Sequence, residues 1–126
     1  MKRTALAAIV LMGLAGIAAA LAAGPEDRAI PAEVQKVFKQ HCVRCHTGPK
    51  PPKGLSLIPA RIASAIDATS AEVPALKIID RSAPESSYLL KKVRREEGIA
   101  GKPMPPGKAL TAEEIQVLET WISGLK

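Results

Sequence analysis

The sequence predicts an all-α fold of about four short helices joined by long loops. Apolar residues recur with helical spacing over 31–45 and again over 111–124. Stretches rich in Pro and Gly, such as 47–57, separate the helical segments, and no segment alternates polar and apolar residues strongly enough to predict a sheet. Because the chain has only three aromatic residues, we expect its small core to need a covalent cross-link or a cofactor for stability.

Residues 1–23 have the pattern of a secretory signal peptide. A short basic start precedes an apolar run over 5–23 that is rich in Ala and Gly. Ala20 and Ala22 form an A-x-A cleavage pattern, so we expect an exported, periplasmic domain covering 24–126. The alternative is an uncleaved anchor in the inner membrane, because about 20 apolar residues can span a bilayer.

The segment 31–45 predicts the first helix. Pro31 suits the first helical position. One face of this helix carries Val34, Val37, Phe38, His41, Cys42 and Cys45. The helix therefore leads its buried face into a turn that contains both cysteines and is bordered by both histidines of the chain.

Residues 42–46 form the pattern C-x-x-C-H, which is typical of the attachment site of a c-type haem. Positions i and i+3 of a helical turn face the same way, so both thiols can add to the two vinyl groups along one haem edge. The next residue, His46, can then bind the iron as the proximal ligand. The sequence thus predicts one covalent haem c held by Cys42 and Cys45, and export agrees because bacteria attach haem c outside the cytoplasm.

Three other kinds of site use the same residue types. A thioredoxin-like dithiol follows a strand in a βαβ pattern, which this sequence does not show. Structural zinc sites draw their ligands from two separated pairs, whereas His41, Cys42, Cys45 and His46 are crowded on one turn and a half. A disulfide across one turn is the third alternative, since exported cysteines commonly pair. Haem attachment is the favoured interpretation.

Loops and short helices follow the C-x-x-C-H turn. In the loop 47–57 we expect a backbone carbonyl, at Pro51 or Pro52, to hold the second nitrogen of His46. Isoleucines four residues apart within 58–66 predict a short amphipathic helix.

Two more helices are predicted nearer the C-terminus. After an extended or looped segment at 73–80, residues 83–98 predict a helix that stops at Gly98. The last helix, over 111–124, begins with a T-x-x-E capping box. The inward-facing residues of these two helices are Leu89, Leu90, Val93, Ile115, Leu118, Ile122 and Leu125, with Trp121 beside them.

Met104 is the predicted distal ligand of the iron. It is the only methionine after the predicted signal peptide, and it lies between Pro103 and Pro105, where neither helix nor strand can form. Because the two prolines restrict the loop, the thioether sulfur of Met104 is held at a fixed position, as a metal ligand would be. The alternatives are an incidental loop methionine or His41 as ligand, but His41 adjoins Cys42 on the proximal side of the ring.

The segments CVRCHTGPKPPKGLSL, APESSYLLKKV and KPMPPGKALTAEEIQVLETWI resemble class I c-type cytochromes, most closely the planctomycete-type cytochrome c domain. The resemblance covers about residues 33–124. It implies a small cytochrome c fold of about four short helices and long loops wrapped around one covalent haem, with the first helix crossing the last. The site it implies has Cys42 and Cys45 bonded to haem and His46 and Met104 on the iron. Pocket packing is expected from Phe38, Pro52, Leu55, Leu57 and Trp121.

An iron with two protein ligands has no position open to a substrate, so we expect one-electron transfer rather than catalysis. One alternative is a haem sensor or peroxidase-like protein in which the Met104 loop swings away. Another is a small haem subunit of a membrane oxidoreductase. Domains of this type are frequently modules of larger enzymes, and the lack of a second predicted domain favours a free carrier or a small subunit.

The charge of the chain suggests the kind of partner. Removing Lys2 and Arg3 from the 18 basic residues leaves 16 against 12 acidic ones, a net charge of +4. We expect redox partner proteins with acidic docking surfaces, because complementary charge speeds encounter. The docking candidates are Lys50, Lys53, Lys102 and Lys108, although these lysines can equally serve solubility. Nucleic-acid binding is not expected of an exported protein with so few aromatics.

Overall fold

The computed structural model describes residues 29–125. They form three α-helices, α1 (Ala32–His41), α2 (Tyr88–Arg94) and α3 (Ala112–Ser123). Three short 3-10 turns lie between α1 and α2, at Pro52–Gly54, Ile62–Ala65 and Pro84–Ser86. Within the described residues no strand forms, and two isolated bridges join 66–69 to 77–79. The predicted all-α fold of short helices and long loops is confirmed.

The predicted signal peptide lies outside the described residues. Among residues 29–125, none of the helices combines the length and the apolar character that crossing a membrane requires.

The core joins α1 to α3. Phe38 of α1 is fully buried, and its ring meets the ring of Trp121 on α3 edge to face, with centroids 6.0 Å apart and planes at 87°. This contact between the first and last helices is the one that the resemblance implies. The start of α3 has the predicted capping box, in which Glu114 N–H donates to Thr111 Oγ1 (3.2 Å) and Thr111 N–H donates to Glu114 Oε2 (2.9 Å).

The helix predicted within 58–66 is reduced to the single turn Ile62–Ala65. Ile66 is already extended, and Asp67 follows with a positive φ of 59°. The Asp67 carboxylate accepts hydrogen bonds from Arg81 Nε (2.6 Å) and Lys77 Nζ (3.3 Å), contacts that hold the chain in this non-helical conformation. Ile62 is nevertheless buried, as its spacing predicted.

The helix predicted over 83–98 is also shorter than expected. Ser87 has a non-helical ψ of 122° and its Oγ accepts the N–H of Asp80 (2.9 Å), so the α-helix begins only at Tyr88. It ends before Arg95, which has a left-handed φ of 58°. The predicted stop at Gly98 is therefore wrong by four residues.

Candidate functional site

The last turn of α1 runs directly into the C-x-x-C-H turn. The N–H groups of Cys42 and Val43 both donate to Phe38 O at 2.9 Å. The N–H groups of Cys45 and His46 then donate to Cys42 O at 3.1 and 2.9 Å. These bonds close one more helical turn, so that both cysteines and His46 line the same cavity.

The ring of His46 is fixed by the loop that follows it. His46 Nδ1 lies 3.0 Å from Leu55 O, and because a carbonyl can only accept, Nδ1 donates and Nε2 keeps the lone pair that a metal needs. The Leu57 N–H donates to His46 O at 2.9 Å, which ties the same two segments together. The prediction of a loop carbonyl was right, but the choice of Pro51 or Pro52 was wrong. Those two carbonyls accept the N–H groups of Gly54 and Leu55 in the 3-10 turn.

The cavity is partly open to solvent and mainly apolar. Four of the predicted pocket residues line it, namely Phe38, Pro52, Leu55 and Leu57. Trp121 is not among the lining residues and instead packs behind Phe38. Residues that the sequence analysis did not assign to the pocket also line it: Ser70, Ala71, Glu72, Ile78, Tyr88, Leu89, Lys92, Val93, Pro105, Pro106 and Leu118. Leu89 and Val93 of α2 and Leu118 of α3 were predicted to face inward, so the helical spacing of each segment did indicate that they are buried.

Met104 lines the same cavity, and α2 together with Arg95, the residue that follows it, holds its segment in place. The Met104 N–H donates to Lys92 O at 3.1 Å. Arg95 Nη2 donates to Pro105 O (2.9 Å) and to Gly107 O (2.7 Å) on the other side of the methionine. The Met104–Pro105 peptide bond is cis.

A buried charged cluster lies at the edge of the cavity beside this segment. Lys92 Nζ is 2.6 Å from Glu72 Oε2, and Tyr88 Oη donates to the same oxygen at 3.0 Å. The bond from Lys92 holds the pKa of Glu72 below its ordinary value of 4.5, against the opposing effect of burial. Lys53, one of the docking candidates, approaches the other oxygen of Glu72 at 4.0 Å. All four docking lysines are exposed.

His41 also lines the cavity, but its ring is engaged with α3. His41 Nε2 lies 2.7 Å from Glu114 Oε1, a contact that links the end of α1 to the capping box. The backbone N–H of Thr111 is the main cause of the lowered pKa of Glu114, and His41 adds to it. One ring nitrogen of His41 is therefore already engaged with a carboxylate of α3.

The two cysteines are free thiols, so the disulfide considered above is not formed. Burial raises the pKa of the Cys42 thiol to about 12, with a further contribution from Cys45. A thioredoxin-like dithiol needs the opposite, a thiol whose pKa is lowered. The four-ligand zinc arrangement is not formed either, since no group of three or more His, Cys, Asp or Glu side chains in residues 29–125 is placed to hold a metal ion.

The residues that meet at this cavity fit a covalently held haem. The chain supplies two thiols at the required spacing, an imidazole whose Nδ1 is already used, a thioether and an apolar lining. A protein-family model described as Cytochrome c matches residues 31–126, which include every one of these groups. Neither the curated proteins nor the solved structures contain a significant match to the chain.

Proposed function

The chain belongs to the cytochrome c family, and we propose that it is an exported mono-haem carrier of single electrons whose iron is ligated by His46 and Met104. The family supports a haem-binding electron carrier that uses covalent haem c. The observation that carries the finer proposal is that Cys42, Cys45, His46 and Met104 all line one cavity. C-x-x-C-H occurs once in the sequence, which supports a single haem.

A bound haem would supply a one-electron change between Fe(III) and Fe(II). The residues of the chain would attach the haem, orient its ligand and set its reduction potential. Cys42 and Cys45 would hold the group covalently, while the Leu55 carbonyl orients His46 and increases its basicity. A methionine as the second ligand raises the reduction potential relative to a second histidine. The apolar lining limits the access of water, which also bears on the potential.

The remaining parts of the proposal rest on the sequence. The run M-P-P-x-x-x-x-L-T-x-x-E-I-x-x-L-x-x-W-I supports the planctomycete-type subtype. The pattern of residues 1–23 supports export to the periplasm, and the mass of the purified protein tests whether that segment is cleaved or retained as an anchor. The four exposed docking lysines, of which Lys53 lines the cavity, support redox partners with acidic surfaces.

A sensor or peroxidase-like role would require the Met104 loop to leave the cavity readily. Hydrogen bonds to Lys92 and Arg95 on both sides of Met104 argue against a loose loop. The carrier is therefore favoured over this second function.

The visible spectrum of the ferric protein, produced with its haem in an exporting host, tests the proposal. We expect the weak far-red charge-transfer band of a methionine sulfur on ferric haem, and we expect Met104→Ala to abolish it. His41→Gln is the matched control, because it removes the other candidate ligand and should leave the band in place. A high-spin resting protein without the band would instead indicate an open iron and favour the sensor or peroxidase-like role.

A further inference from the structure

Lys92 is buried beside the cavity, with only 6% of its surface exposed. Lysine is almost never buried to this degree unless its charge is paired. Here Nζ pairs with Glu72 and also donates to two backbone carbonyls, Ala100 O and Lys102 O, the latter at 2.9 Å. All three donors of the ammonium group are therefore used, and two of them hold the segment that leads to Met104.

Tyr88 holds the same segment from one helical turn earlier. Its hydroxyl donates to Glu72 Oε2 (3.0 Å) and accepts the N–H of Ala100 (3.0 Å). Ala100 is thus bound through both its N–H and its carbonyl. Lys92 Nζ also lies 5.4 Å from the centre of the Tyr88 ring, a favourable position for a cation over an aromatic face.

The backbone around Glu72 is fixed by hydrogen bonds to a neighbouring serine side chain. Ser70 is buried, and its Oγ accepts the N–H groups of Glu72 (3.3 Å) and Val73 (3.1 Å). Gly101 has a φ of +66°, and a Cβ added there would lie 3.3 Å from Glu72 Oε1. The segment before Met104 therefore packs directly on the ion pair.

The backbone of Lys92 adds a third hydrogen bond to the two that its side chain makes with residues 100 and 102, because the Lys92 carbonyl accepts the Met104 N–H. Replacing a buried ion pair by apolar residues is often neutral or stabilising, so overall stability is a weak reason for this cluster. Its bonds instead converge on residues 100, 102 and 104.

We propose that Lys92, Glu72 and Tyr88 are positioning residues that fix the Met104 loop over the cavity and so control how readily the methionine leaves the iron. This inference rests on the His46/Met104 ligation proposed above.

Competition by imidazole tests the inference in the ferric protein with its haem attached. Imidazole reaches the iron only when Met104 is away, so its apparent affinity rises with the fraction of protein in which the loop is open. For Lys92→Met we expect that affinity to rise by about tenfold or more, since hydrogen bonds from a charged group are lost. Lys91→Met is the matched control, because Lys91 lies on the same helix but pairs with Glu96 Oε2 (3.0 Å). The control should bind imidazole like the wild type.

The free energy of unfolding, measured in urea for the same proteins, separates positioning from general stability. A merely structural cluster would lower this free energy while leaving the imidazole affinity of Lys92→Met equal to that of the wild type, and that result would overturn the inference. If Lys92→Met does not yield folded protein, Tyr88→Phe decides, with an expected rise of about threefold from the loss of one hydrogen bond. An unchanged affinity in Tyr88→Phe would then reject the inference. The absence of the far-red band in the wild type would reject the ligation itself.

Discussion

The turn Cys42–His46 and the segment 100–107 both face the cavity, but the chain holds them through contacts of different range. The turn is bonded to partners that all lie within residues 38–57. The segment 100–107 is bonded to Lys92 of α2 and to Arg95, the residue after α2, and through Lys92 to Glu72, which precedes α2 by a long loop. The proximal side is therefore a local structure, whereas the distal side depends on tertiary packing.

This difference predicts which side opens first. Local unfolding takes place at a lower free energy where a segment has few buried apolar contacts and depends on polar bonds near solvent. Arg95, which binds the carbonyls of Pro105 and Gly107, is exposed. Residues 106–109, at the end of the segment and just after it, are exposed as well. The turn after α1, by contrast, continues from Phe38 in the centre of the core. We expect the distal side to open while the proximal side stays formed.

The largest expected effect is on covalent haem attachment, which should depend on the proximal side and not on the distal side. Cys42→Ala combined with Cys45→Ala removes both thiols, so no haem should remain bonded to the chain. Met104→Ala, on the distal side, should keep the covalent haem and lose only the far-red band. Mass spectrometry of the denatured proteins measures the attachment. Loss of covalent haem in Met104→Ala would show that the two sides do not form independently.

Phe38→Ala should weaken both sides together, because Phe38 is fully buried and packs against Trp121 behind the cavity. Truncating a buried Phe costs about 3–5 kcal/mol in the free energy of unfolding. Lys39→Ala, the next residue and an exposed one, should cost no more than about 0.5 kcal/mol. Urea unfolding of the two haem-loaded variants measures this difference. A cost for Phe38→Ala as small as that of the control would mean that the α1–α3 contact contributes little.

Sequence reasoning succeeded within one helical turn and failed where a contact between separate segments decides the structure. The turn Cys42–His46 follows from the i, i+3 and i+4 spacing of a helix, so its geometry could be predicted. The bond from His46 to Leu55 could not, because it depends on which loop carbonyls the 3-10 turn already uses. The helix expected at 58–66 is shortened by Asp67 and its partner Arg81, a contact between residues that are 14 positions apart. Lys92 resembles a surface lysine in sequence, and only the folded chain shows its buried partners.

Gly101→Ala should loosen the distal side alone. Alanine at a positive φ costs about 1 kcal/mol, and here its Cβ would also press on Glu72 Oε1. Gly98→Ala is the matched control, since it has a similar φ of +78° and no neighbouring atom within 4 Å of the added Cβ. The apparent imidazole affinity should rise about fivefold in Gly101→Ala and stay near the wild-type value in Gly98→Ala. Equal effects of both variants would attribute the change to backbone strain rather than to contact with the ion pair.

The smallest effect concerns Glu114, which supports the proximal side through His41 and the capping box. Glu114→Gln removes a carboxylate at a helix start, which should lower the free energy of unfolding by about 0.3–1 kcal/mol at pH 7. The pKa of Glu114 is lowered in the folded protein, so this contribution is fully present above its ordinary value of 4.5 and is lost as the pH falls through the folded value. Urea unfolding between pH 7 and pH 3 should show the difference between wild type and variant shrinking below pH 4.5. Glu97→Gln, an exposed change outside α3, is the control. A difference that grows as the pH falls would contradict this assignment, because the folded state would then bind the proton more tightly than the unfolded chain does.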